Sequence, residues 1–329
     1  MPNAPTSPRN VWENPGPLDL AVVIVSYNTR DILEACLTSV LAETKGIAFR
    51  VYVVDNASRD KSADMVRRKF PEVTLRENME NLGFSKANNL VLAGIEARYA
   101  MLLNSDTKIL PGSHALEAMV AFMDARPEVG ALGPKILFED GTIQLHCARR
   151  FPDLWTSFCQ LTTLARRFPG NRLTGRYLMS WWDHEDAREV ECLLGACMMV
   201  RREVLERVGL LDEAFFLGGE DNDWCMRIGR DGWKVFYNPE IAILHIGGAS
   251  KNQMQEHEGK ELHIGYWKYF RKHHGLAYAL AWRMMTASLA LALIVIYALQ
   301  MPFRAARRGA LKTLVDVYSD ILVWCLTGR

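Results

Sequence analysis

Small polar and acidic residues follow each of the first four apolar segments of the chain. They are, in chain order, Ser26, Tyr27 and Asn28, then Asp55 and Asn56, then Asn78, Asn81 and Gly83, and finally Asn104, Ser105 and Asp106. Their carboxylate, amide and hydroxyl groups are suited to a nucleotide, because they can bind its base and sugar and can hold a metal ion at its phosphates. If the apolar segments are parallel strands, these groups meet at one edge of a sheet.

The first apolar segment lacks both common phosphate-binding loops. It is followed neither by G-x-G-x-x-G nor by a GK[ST] loop, so neither a dinucleotide Rossmann site nor a P-loop is indicated. A nucleotide bound here therefore needs a metal ion to neutralise its phosphates. Asp106 offers the carboxylate oxygen that Mg²⁺ and Mn²⁺ prefer, and we expect one of these ions at this residue.

Apolar and amphipathic segments alternate along the first part of the chain and predict the framework that carries these groups. Residues 20–25 form an uninterrupted apolar run, as in a strand buried on both faces, and residues 30–42 have apolar side chains at helical spacing. The further predicted strands are 51–54, 73–75 and 99–103, and the further helices are 62–70, 85–96 and 111–125. Such alternation predicts an α/β fold whose first half is a doubly wound sheet of parallel βαβ units.

The second half of the chain is less regular. Between residues 130 and 182, aromatic and basic residues lie in predicted loops. Residues 192–200 then predict a strand, followed by helices at 203–208 and 221–230, strands at 234–237 and 241–245, and helix from about 253 to the end.

The overall composition is that of an ordinary folded protein. With 39 Lys and Arg against 38 Asp and Glu, the net charge is +1, which gives no long-range field for nucleic acid, and we expect no nucleic-acid partner. The 49% hydrophobic content, with 23 Gly and 13 Pro, excludes collagen-like and disordered classes. The seven cysteines contain no C-x-x-C pair, which indicates reduced thiols in a cytosolic compartment.

Three regions are expected along the chain. Residues 1–18 contain five prolines and no apolar run, so they predict a mobile N-terminal arm and not a signal peptide. A catalytic domain is expected at 19–252 and a helical, membrane-associating region at 253–329.

Eight short motifs follow one another from the first predicted strand onward. They are V-S-Y-N (25–28), V-V-D-N-A-S-R-D (53–60), N-L-G-F-S-K-A-N-N (81–89), L-L-N-S-D-T (102–107), G-A-C-M-M-V-R-R (195–202), G-L-L-D-E-A-F-F (209–216), G-E-D-N-D-W-C-M-R (219–227) and H-I-G-G-A-S (245–250). In type and order they resemble the motifs of family 2 glycosyltransferases, above all the bacterial rhamnosyltransferase-like branch. The resemblance spans about residues 19–275. It implies a GT-A fold, the Rossmann-like fold of nucleotide-diphospho-sugar transferases, and sugar transfer with inversion at the anomeric carbon.

The resemblance also implies roles for the residues at the donor site. Tyr27 would lie against the nucleotide base and Asp55 would accept a hydrogen bond from base or ribose. The complete nucleotide-binding set would be Ser26, Tyr27, Asn28, Asp55, Asn56, Asn81, Gly83, Asn89, Asn104 and Ser105. Asp106 and His245 would hold the Mg²⁺ or Mn²⁺ ion at the donor phosphates. The family often has Asp-x-Asp where this chain has Asn104-Ser105-Asp106, so one carboxylate is left and Asn104 is free to serve the ribose.

The resemblance further implies that the Glu220-Asp221 pair supplies the catalytic base, and Asp221 is the preferred candidate. A sugar hydroxyl is a poor nucleophile at neutral pH, so a carboxylate must take its proton as the new bond forms. The metal ion absorbs the charge of the leaving diphosphate. Glu220 and Asp223 could orient the acceptor or cap the following helix. Trp181 and Trp182 could stack on a sugar ring or pack in the core.

The C-terminal region indicates contact with a membrane. Residues 284–303 carry no charge and are long enough to cross a bilayer, and they follow the aromatic and basic segment 266–274. A single span and a re-entrant helix followed by an amphipathic helix at 311–326 are both compatible with this pattern. An anchored enzyme would meet a polyprenyl-diphosphate-linked acceptor at the cytoplasmic face of the inner (plasma) membrane. A surface helix packed on the catalytic domain is the alternative.

The expected function is therefore an inverting, metal-dependent transfer of rhamnose from dTDP-rhamnose to a lipid-linked saccharide in cell-envelope polysaccharide synthesis. Two alternatives remain open from the sequence. One keeps the chemistry and changes the donor to UDP-galactofuranose, UDP-glucose or GDP-mannose. The other is a non-enzymatic homologue that acts as a scaffold.

Overall fold

The computed structural model describes residues 18–247, 258–303 and 308–328. The strands are β1 Leu18–Ser26, β2 Phe49–Asp55, β3 Thr74–Glu77, β4 Ala97–Asn104, β5 Thr107–Ile109, β6 Val129–Leu137, β7 Ala148–Arg149, β8 Arg188–Glu189, β9 Cys192–Leu193, β10 Cys197–Arg201 and β11 Lys234–His245. The helices are α1 Arg30–Glu43, α2 Ser62–Lys69, α3 Phe84–Leu92, α4 Ala115–Asp124, α5 Leu154–Leu161, α6 Leu164–Arg167, α7 Arg202–Arg207, α8 Glu220–Arg230, α9 Glu258–His274, α10 Leu276–Gln300 and α11 Arg308–Thr327. The expected mobile arm, apart from its last residue, and residues 248–250 of the last motif lie outside the described part.

One large mixed sheet forms the centre of the fold. Its strands lie in the order β3-β2-β1-β4-β10-β6-β11-β5, and β8 pairs with β11. The four strands β3, β2, β1 and β4 are parallel, which confirms the predicted doubly wound half. Beyond them β10 and β5 run antiparallel to their neighbours, so the whole sheet is mixed and not parallel. The α/β class predicted from the sequence is confirmed.

Two predicted segments of the second half differ from the structure. The run predicted as one strand at 192–200 is divided into β9 and β10 by a turn at 194–196, and β9 pairs with β7 in a separate small sheet. The two strands predicted around Pro239 are one strand, β11, with a bulge between Asn238 and Ala242 where the pairing with β6 shifts. Proline has no N–H to donate to the ladder, and the bulge accommodates it.

The main core lies between the sheet and its covering helices. In α1 the buried side chains Leu33, Cys36, Leu37 and Val40 follow helical spacing and belong to the same core as β1, whose residues 20–24 are fully buried. A strand covered on both faces explains why its sequence shows no alternation.

A second, aromatic core joins the C-terminal helices to one another and to the part of the chain that precedes them. Its buried members are Phe215, Tyr269, Phe270, Ala279, Trp282, Ala290, Ile321, Trp324 and Cys325. Arg283 on α10 donates to the carbonyl oxygens of Trp324 and Cys325 near the end of α11. The ring centroids of Tyr297 on α10 and Tyr318 on α11 lie 5.9 Å apart. Helices α10 and α11 therefore pack as an antiparallel hairpin.

Asn89 connects helix α3 to the loop that precedes α8. Its side-chain amide donates to the carbonyl oxygen of Leu211 at 2.8 Å, and its carbonyl accepts from the backbone N–H of Leu211 at 3.2 Å. The same amide donates to Glu213. Because Asn89 is buried, no water replaces these bonds if they are lost.

We predict that Asn89→Ala lowers the free energy of unfolding by about 2 kcal/mol, because both polar groups of the Leu211 backbone lose their partner inside the protein. Urea unfolding followed by tryptophan fluorescence measures the change. The control is Asn171→Ala, at an exposed position where the side chain makes only local bonds. Equal stability of the two variants would show that the hydrogen bonds between Asn89 and Leu211 do not stabilise the fold.

Candidate functional site

The polar strand ends of the two halves of the chain meet at the end of β4. Asn104, the last residue of β4, donates its backbone N–H to the carbonyl oxygen of Ala196 at 2.9 Å. A side chain placed on the neighbouring Gly195 would lie 3.8 Å from Cβ of Asp221. The Asn104-Ser105-Asp106 segment and the acidic pair at the start of α8 therefore lie at one edge of the sheet, although more than a hundred residues separate them.

Asp106 and His245 form one side of this site. Strand pairing between β5 and β11 sets His245 opposite Thr107, and this register brings Nε2 of His245 to 3.1 Å from a carboxylate oxygen of Asp106. Both side chains are buried. The amide of Asn104 lies 3.4 Å from the same Nε2 atom.

Gln144 sets the tautomer of His245. Its amide N–H donates to the backbone carbonyl oxygen of His245, which can only accept. Its carbonyl oxygen therefore faces the imidazole, where Nδ1 of His245 donates to it at 2.9 Å. In the neutral ring the lone pair of Nε2 then points toward Asp106.

This arrangement fits a divalent cation. Two acceptor atoms 3.1 Å apart need a proton or a cation between them, and two neighbouring ligands of an octahedral Mg²⁺ or Mn²⁺ ion lie about 3 Å apart. Within the described residues no group of three or more His, Cys, Asp or Glu side chains converges on one point. Asp106 and His245 would thus supply two ligands, and substrate phosphates and water the others, as is usual for such ions.

Glu220 and Asp221 form the other side of the site, at the N-terminus of α8. Gly219 precedes them in the left-handed region with φ +93°, which turns the chain sharply into the helix. One carboxylate oxygen of Asp221 accepts from Arg149 Nη2 at 2.6 Å, and the other accepts from the backbone of Asn222. The Arg149 and Asp221 side chains are 3% and 10% exposed, so this ion pair is buried.

The two carboxyl groups lie in different environments. Burial, and then the neighbouring charge of Asp221, raises the pKa of Glu220 to about 8, and one of its carboxylate oxygens has no hydrogen-bond partner. Asp221 has a buried cation opposite it. At neutral pH Glu220 therefore keeps its proton and can donate a hydrogen bond, while Arg149 holds the neighbouring Asp221 side chain. Such unlike environments give two adjacent carboxyl groups different roles.

Residues at the end of β1 are mostly engaged in bonds within the protein. The hydroxyl of Ser26 bonds to that of Thr29, which donates to that of Ser105 at 3.1 Å, so a buried chain of hydroxyls joins β1 to the segment after β4. Asn28, at φ 53°, accepts from the backbone of Arg59. Tyr27 is half-buried at the same edge. Contact of these residues with a nucleotide stays a prediction.

Asp55 and Asn56 at the end of β2 differ in what they offer a ligand. Asp55 accepts from Ser58, but its other carboxylate oxygen is buried without a partner, and burial raises its pKa. This oxygen is available for the base or ribose of a nucleotide. The Asn56 amide instead binds the carbonyl oxygens of Asn81 and Gly83, so it shapes the 78–83 loop.

Gly83 brings this loop close to the second half of the chain. It has φ +78°, and a Cβ atom here would lie 2.6 Å from the carbonyl oxygen of Phe216. Phe84 donates its backbone N–H to the same oxygen at 2.7 Å. The 78–83 loop and the chain leading into α8 are therefore in direct backbone contact.

The structure corrects the interpretation of several predicted contacts. Both polar groups of the Asn89 side chain are hydrogen-bonded to the backbone of Leu211, so the amide does not face the site. Asp223 is fully buried and paired with Arg227, Lys272 and His273, so its carboxylate is not open to an acceptor.

The two tryptophans pack within the protein and do not form a flat surface on which a sugar ring could stack. Trp182 is 7% exposed, stacks on His184 at 4.1 Å and donates to Asp186. Trp181 is half-buried beneath Arg172, 4.6 Å from its guanidinium. For Trp182, the packing alternative considered from the sequence is correct.

The sequence did not indicate three residues that lie in this site or hold its residues in place: Arg149, Gln144 and His273. Arg149 and Gln144 lie in the irregular region, and His273 stands among four histidines of the basic C-terminal segment. Their partners are 72, 101 and 50 residues away in the chain. A single sequence holds no periodic signal that would connect such pairs.

Comparison with known proteins identifies the family. The profile described as "Glycosyltransferase like family 2" matches residues 15–272. The N-acetylglucosaminyl-diphospho-decaprenol L-rhamnosyltransferase of Mycobacterium tuberculosis is 31% identical over 238 residues, which cover 69% of this chain and 75% of that protein. The rhamnosyltransferase WbbL of Escherichia coli is 22% identical, over 68% of this chain and 82% of that protein.

A solved structure agrees with this assignment at the level of the fold. The mannosyltransferase PcManGT of Pyrobaculum calidifontis, solved with GDP-Man and Mn²⁺, superimposes with a TM-score of 0.57 at 19% identity, covering 96% of this chain and 89% of that one. The fold is GT-A, as the resemblance implied. The chain belongs to family 2 of the glycosyltransferases, in its rhamnosyltransferase-like branch, and is a glycosyltransferase enzyme.

Proposed function

We propose that this enzyme transfers a sugar, with inversion, from a nucleotide-diphosphate donor to a hydroxyl of a lipid-linked saccharide, and that it uses Mg²⁺ or Mn²⁺. The observation that carries the proposal is the meeting of two unlike groups at the end of β4. Asp106 and His245 lie on one side and can hold a cation at the donor diphosphate. Glu220 and Asp221 lie on the other and can act on an acceptor hydroxyl.

In the proposed reaction the acceptor oxygen attacks the anomeric carbon from the face opposite the diphosphate. Asp221 takes the hydroxyl proton as this bond forms. The bond from the anomeric carbon to the diphosphate oxygen breaks, and the diphosphate leaves with the electron pair. When bound, the metal ion stabilises the negative charge on the leaving diphosphate. Arg149 holds the Asp221 carboxylate in place, and protonated Glu220 donates a hydrogen bond that orients the acceptor.

For the donor we propose dTDP-rhamnose. Support comes from two relatives named rhamnosyltransferases, one of them at 31% identity. UDP-galactofuranose, UDP-glucose and GDP-mannose remain the alternative donors for the same machinery. The first relative is named for a decaprenol-linked acceptor, and this supports a polyprenyl-diphosphate-linked acceptor here.

For the C-terminal hairpin we propose an in-plane or re-entrant position on the cytoplasmic leaflet of the inner membrane. In the described residues, α10 is the one helix long and apolar enough to span a membrane. Its exposed side is a stripe of large apolar residues: Leu276, Leu280, Met284, Leu291, Val295, Leu299. On α11, Lys312, Asp316 and Asp320 are exposed at four-residue intervals. A hairpin crossing the bilayer would place these charges in hydrocarbon, whereas an interfacial hairpin keeps them in water.

We predict that Asp221→Asn lowers kcat for transfer from dTDP-rhamnose at least a hundredfold, because the variant cannot take the acceptor proton. Donor affinity should stay within twofold, because the proposed donor contacts lie on the other side of the site. Glu220→Gln, which imitates the protonated form, retains most activity. Wild-type kcat/KM falls above about pH 8 as Glu220 loses its proton, and Glu220→Gln lacks this fall.

Rates at pH 6–10 and calorimetric titration with donor measure these effects. Near-normal turnover by Asp221→Asn together with loss of activity in Glu220→Gln would transfer the role of base to Glu220. Wild-type transfer from another donor, and none from dTDP-rhamnose, would reject the donor assignment.

Loss of the Gln144 contact should weaken metal binding, because the His245 ring loses the bond that fixes its tautomer and orientation. We predict that Gln144→Leu weakens Mn²⁺ affinity in the presence of the nucleoside diphosphate about tenfold. Electron paramagnetic resonance of free Mn²⁺ gives the affinity. Gln160→Leu, at an exposed position on α5, should bind Mn²⁺ like wild type. Unchanged affinity in Gln144→Leu would remove this residue from the metal site.

The position of the hairpin predicts which side of the membrane the C-terminus faces. A cysteine added after Arg329 should stay unlabelled by an impermeant maleimide in intact cells and react after permeabilisation. The seven native cysteines are buried and give little background. Labelling from outside intact cells would show that α10 crosses the bilayer as a single span and leaves the C-terminus outside, which would contradict the proposed position of the hairpin.

A further inference from the structure

Helix α9 lies directly against the glycine turn that leads into the acidic pair. Gly218 and Gly219 have φ values of +85° and +93°, a conformation that glycine adopts without strain. A Cβ atom on Gly265 of α9 would lie 2.0 Å from the carbonyl oxygen of Gly218. A Cβ on Gly219 would lie 3.2 Å from the Gly265 backbone. Helix and turn thus touch backbone to backbone, one residue before Glu220.

The C-terminal end of α9 binds the first turn of α8 through charge. The buried carboxylate of Asp223 accepts from Nζ of Lys272 at 2.6 Å and from Nε2 of His273 at 2.7 Å. Burial opposes ionisation, but the hydrogen bonds from His273 and Lys272 and the charge of Arg227 hold the pKa of Asp223 at about 2. Arg230 donates to Nδ1 of His273, so Nε2 carries the proton that Asp223 accepts.

A third contact joins α9 to the strand that carries Arg149. The hydroxyls of Tyr266 on α9 and Tyr177 lie 3.0 Å apart in the interior. The carbonyl oxygen of Tyr177 accepts from the backbone N–H of Arg150 at 2.9 Å. Helix α9 therefore contacts both the chain segment of Asp221 and that of its ion-pair partner.

We propose that α9 is a positioning element of the catalytic site. Through Gly265, Tyr266, Lys272 and His273 it holds the 218–223 turn, and with it the carboxylates of Glu220 and Asp221, at the distance from the donor that transfer needs. These residues act through the acidic pair and touch no substrate. The proposal rests on the transfer reaction proposed above and adds that its geometry is set by the helix leading into the apolar hairpin.

Gly265→Ala is the most informative variant, because helix propensity alone would stabilise the protein, so that a loss of activity would have to come from the contact with the glycine turn. Alanine is favoured over glycine inside a helix, yet its methyl group would meet the Gly218 carbonyl. Gly229→Ala is the matched control, since it lies inside α8 with nothing within 4 Å of the added methyl group. We expect Gly265→Ala to lower kcat at least tenfold with donor KM, donor affinity and Mn²⁺ affinity within twofold. Gly229→Ala should match wild type in all four.

The charged contact is tested at neighbouring histidines. His273→Ala should lower kcat in the same way, and His273→Gln, which keeps an N–H donor, should restore most of it. His274→Ala is the control, because its exposed ring stacks on Tyr278 and does not reach Asp223.

Hydrogen–deuterium exchange supplies a readout that does not depend on activity. The peptide covering Gly218–Asp223 should exchange faster in Gly265→Ala and His273→Ala than in wild type and the two controls, while peptides from β1 and β2 stay unchanged. Wild-type exchange of this peptide in both variants would overturn the proposal, as would wild-type kcat in both. Absence of transfer by the wild-type enzyme with every donor would refute the proposed function, and the exchange result would still decide the role of α9.

Discussion

The buried ion pair between Arg149 and Asp221 constrains the rest of the site. Two charges removed from water are costly to bury, and removing one partner of such a pair typically costs about 3–5 kcal/mol. Arg149 also donates to the carbonyl oxygens of His146 and Leu193, so it joins the small β7-β9 sheet to helix α8. The carboxylate that we assign to proton removal is therefore also a structural anchor. The asparagine variant keeps its shape while removing its charge, which makes it the informative substitution.

The parallel half of the fold could be predicted because its causes are local. Strands β1, β2 and β4 are covered on both faces, so they read as short apolar runs, and the helices between them show helical spacing. Strands β10 and β5 are short and run antiparallel, and their direction is set by partners far along the chain. The edge followed from the parallel strands, and this is why the sequence could place Asp55 and Asp106 at the ends of β2 and β4.

The limits of sequence reasoning appear in the amides and in the long-range pairs. Asn56 and Asn89 have the residue type and position of ligand contacts, yet both bind backbone groups of neighbouring loops. An amide that binds a nucleotide and one that binds a carbonyl group look the same in a sequence. Asp223 was considered for the acceptor because it follows the acidic pair, but its place one turn into α8 directs it toward α9. The packing of α9 against α8 shows that Asp223 has a structural role and does not contact the acceptor.

The turn between α9 and α10 has a consequence for the choice of acceptor. Gly275, at φ +88°, ends one helix and begins the other, and ten residues separate it from Gly265. At a rise of about 1.5 Å per residue, the catalytic turn lies roughly 15 Å along α9 from the start of the apolar hairpin. With the hairpin on the membrane as proposed, this length of α9 sets an upper limit of roughly 15 Å on the separation between the catalytic turn and the start of the hairpin. The terminal sugar of a lipid-linked acceptor would then have to lie within that distance of the bilayer surface, whichever sugar it is.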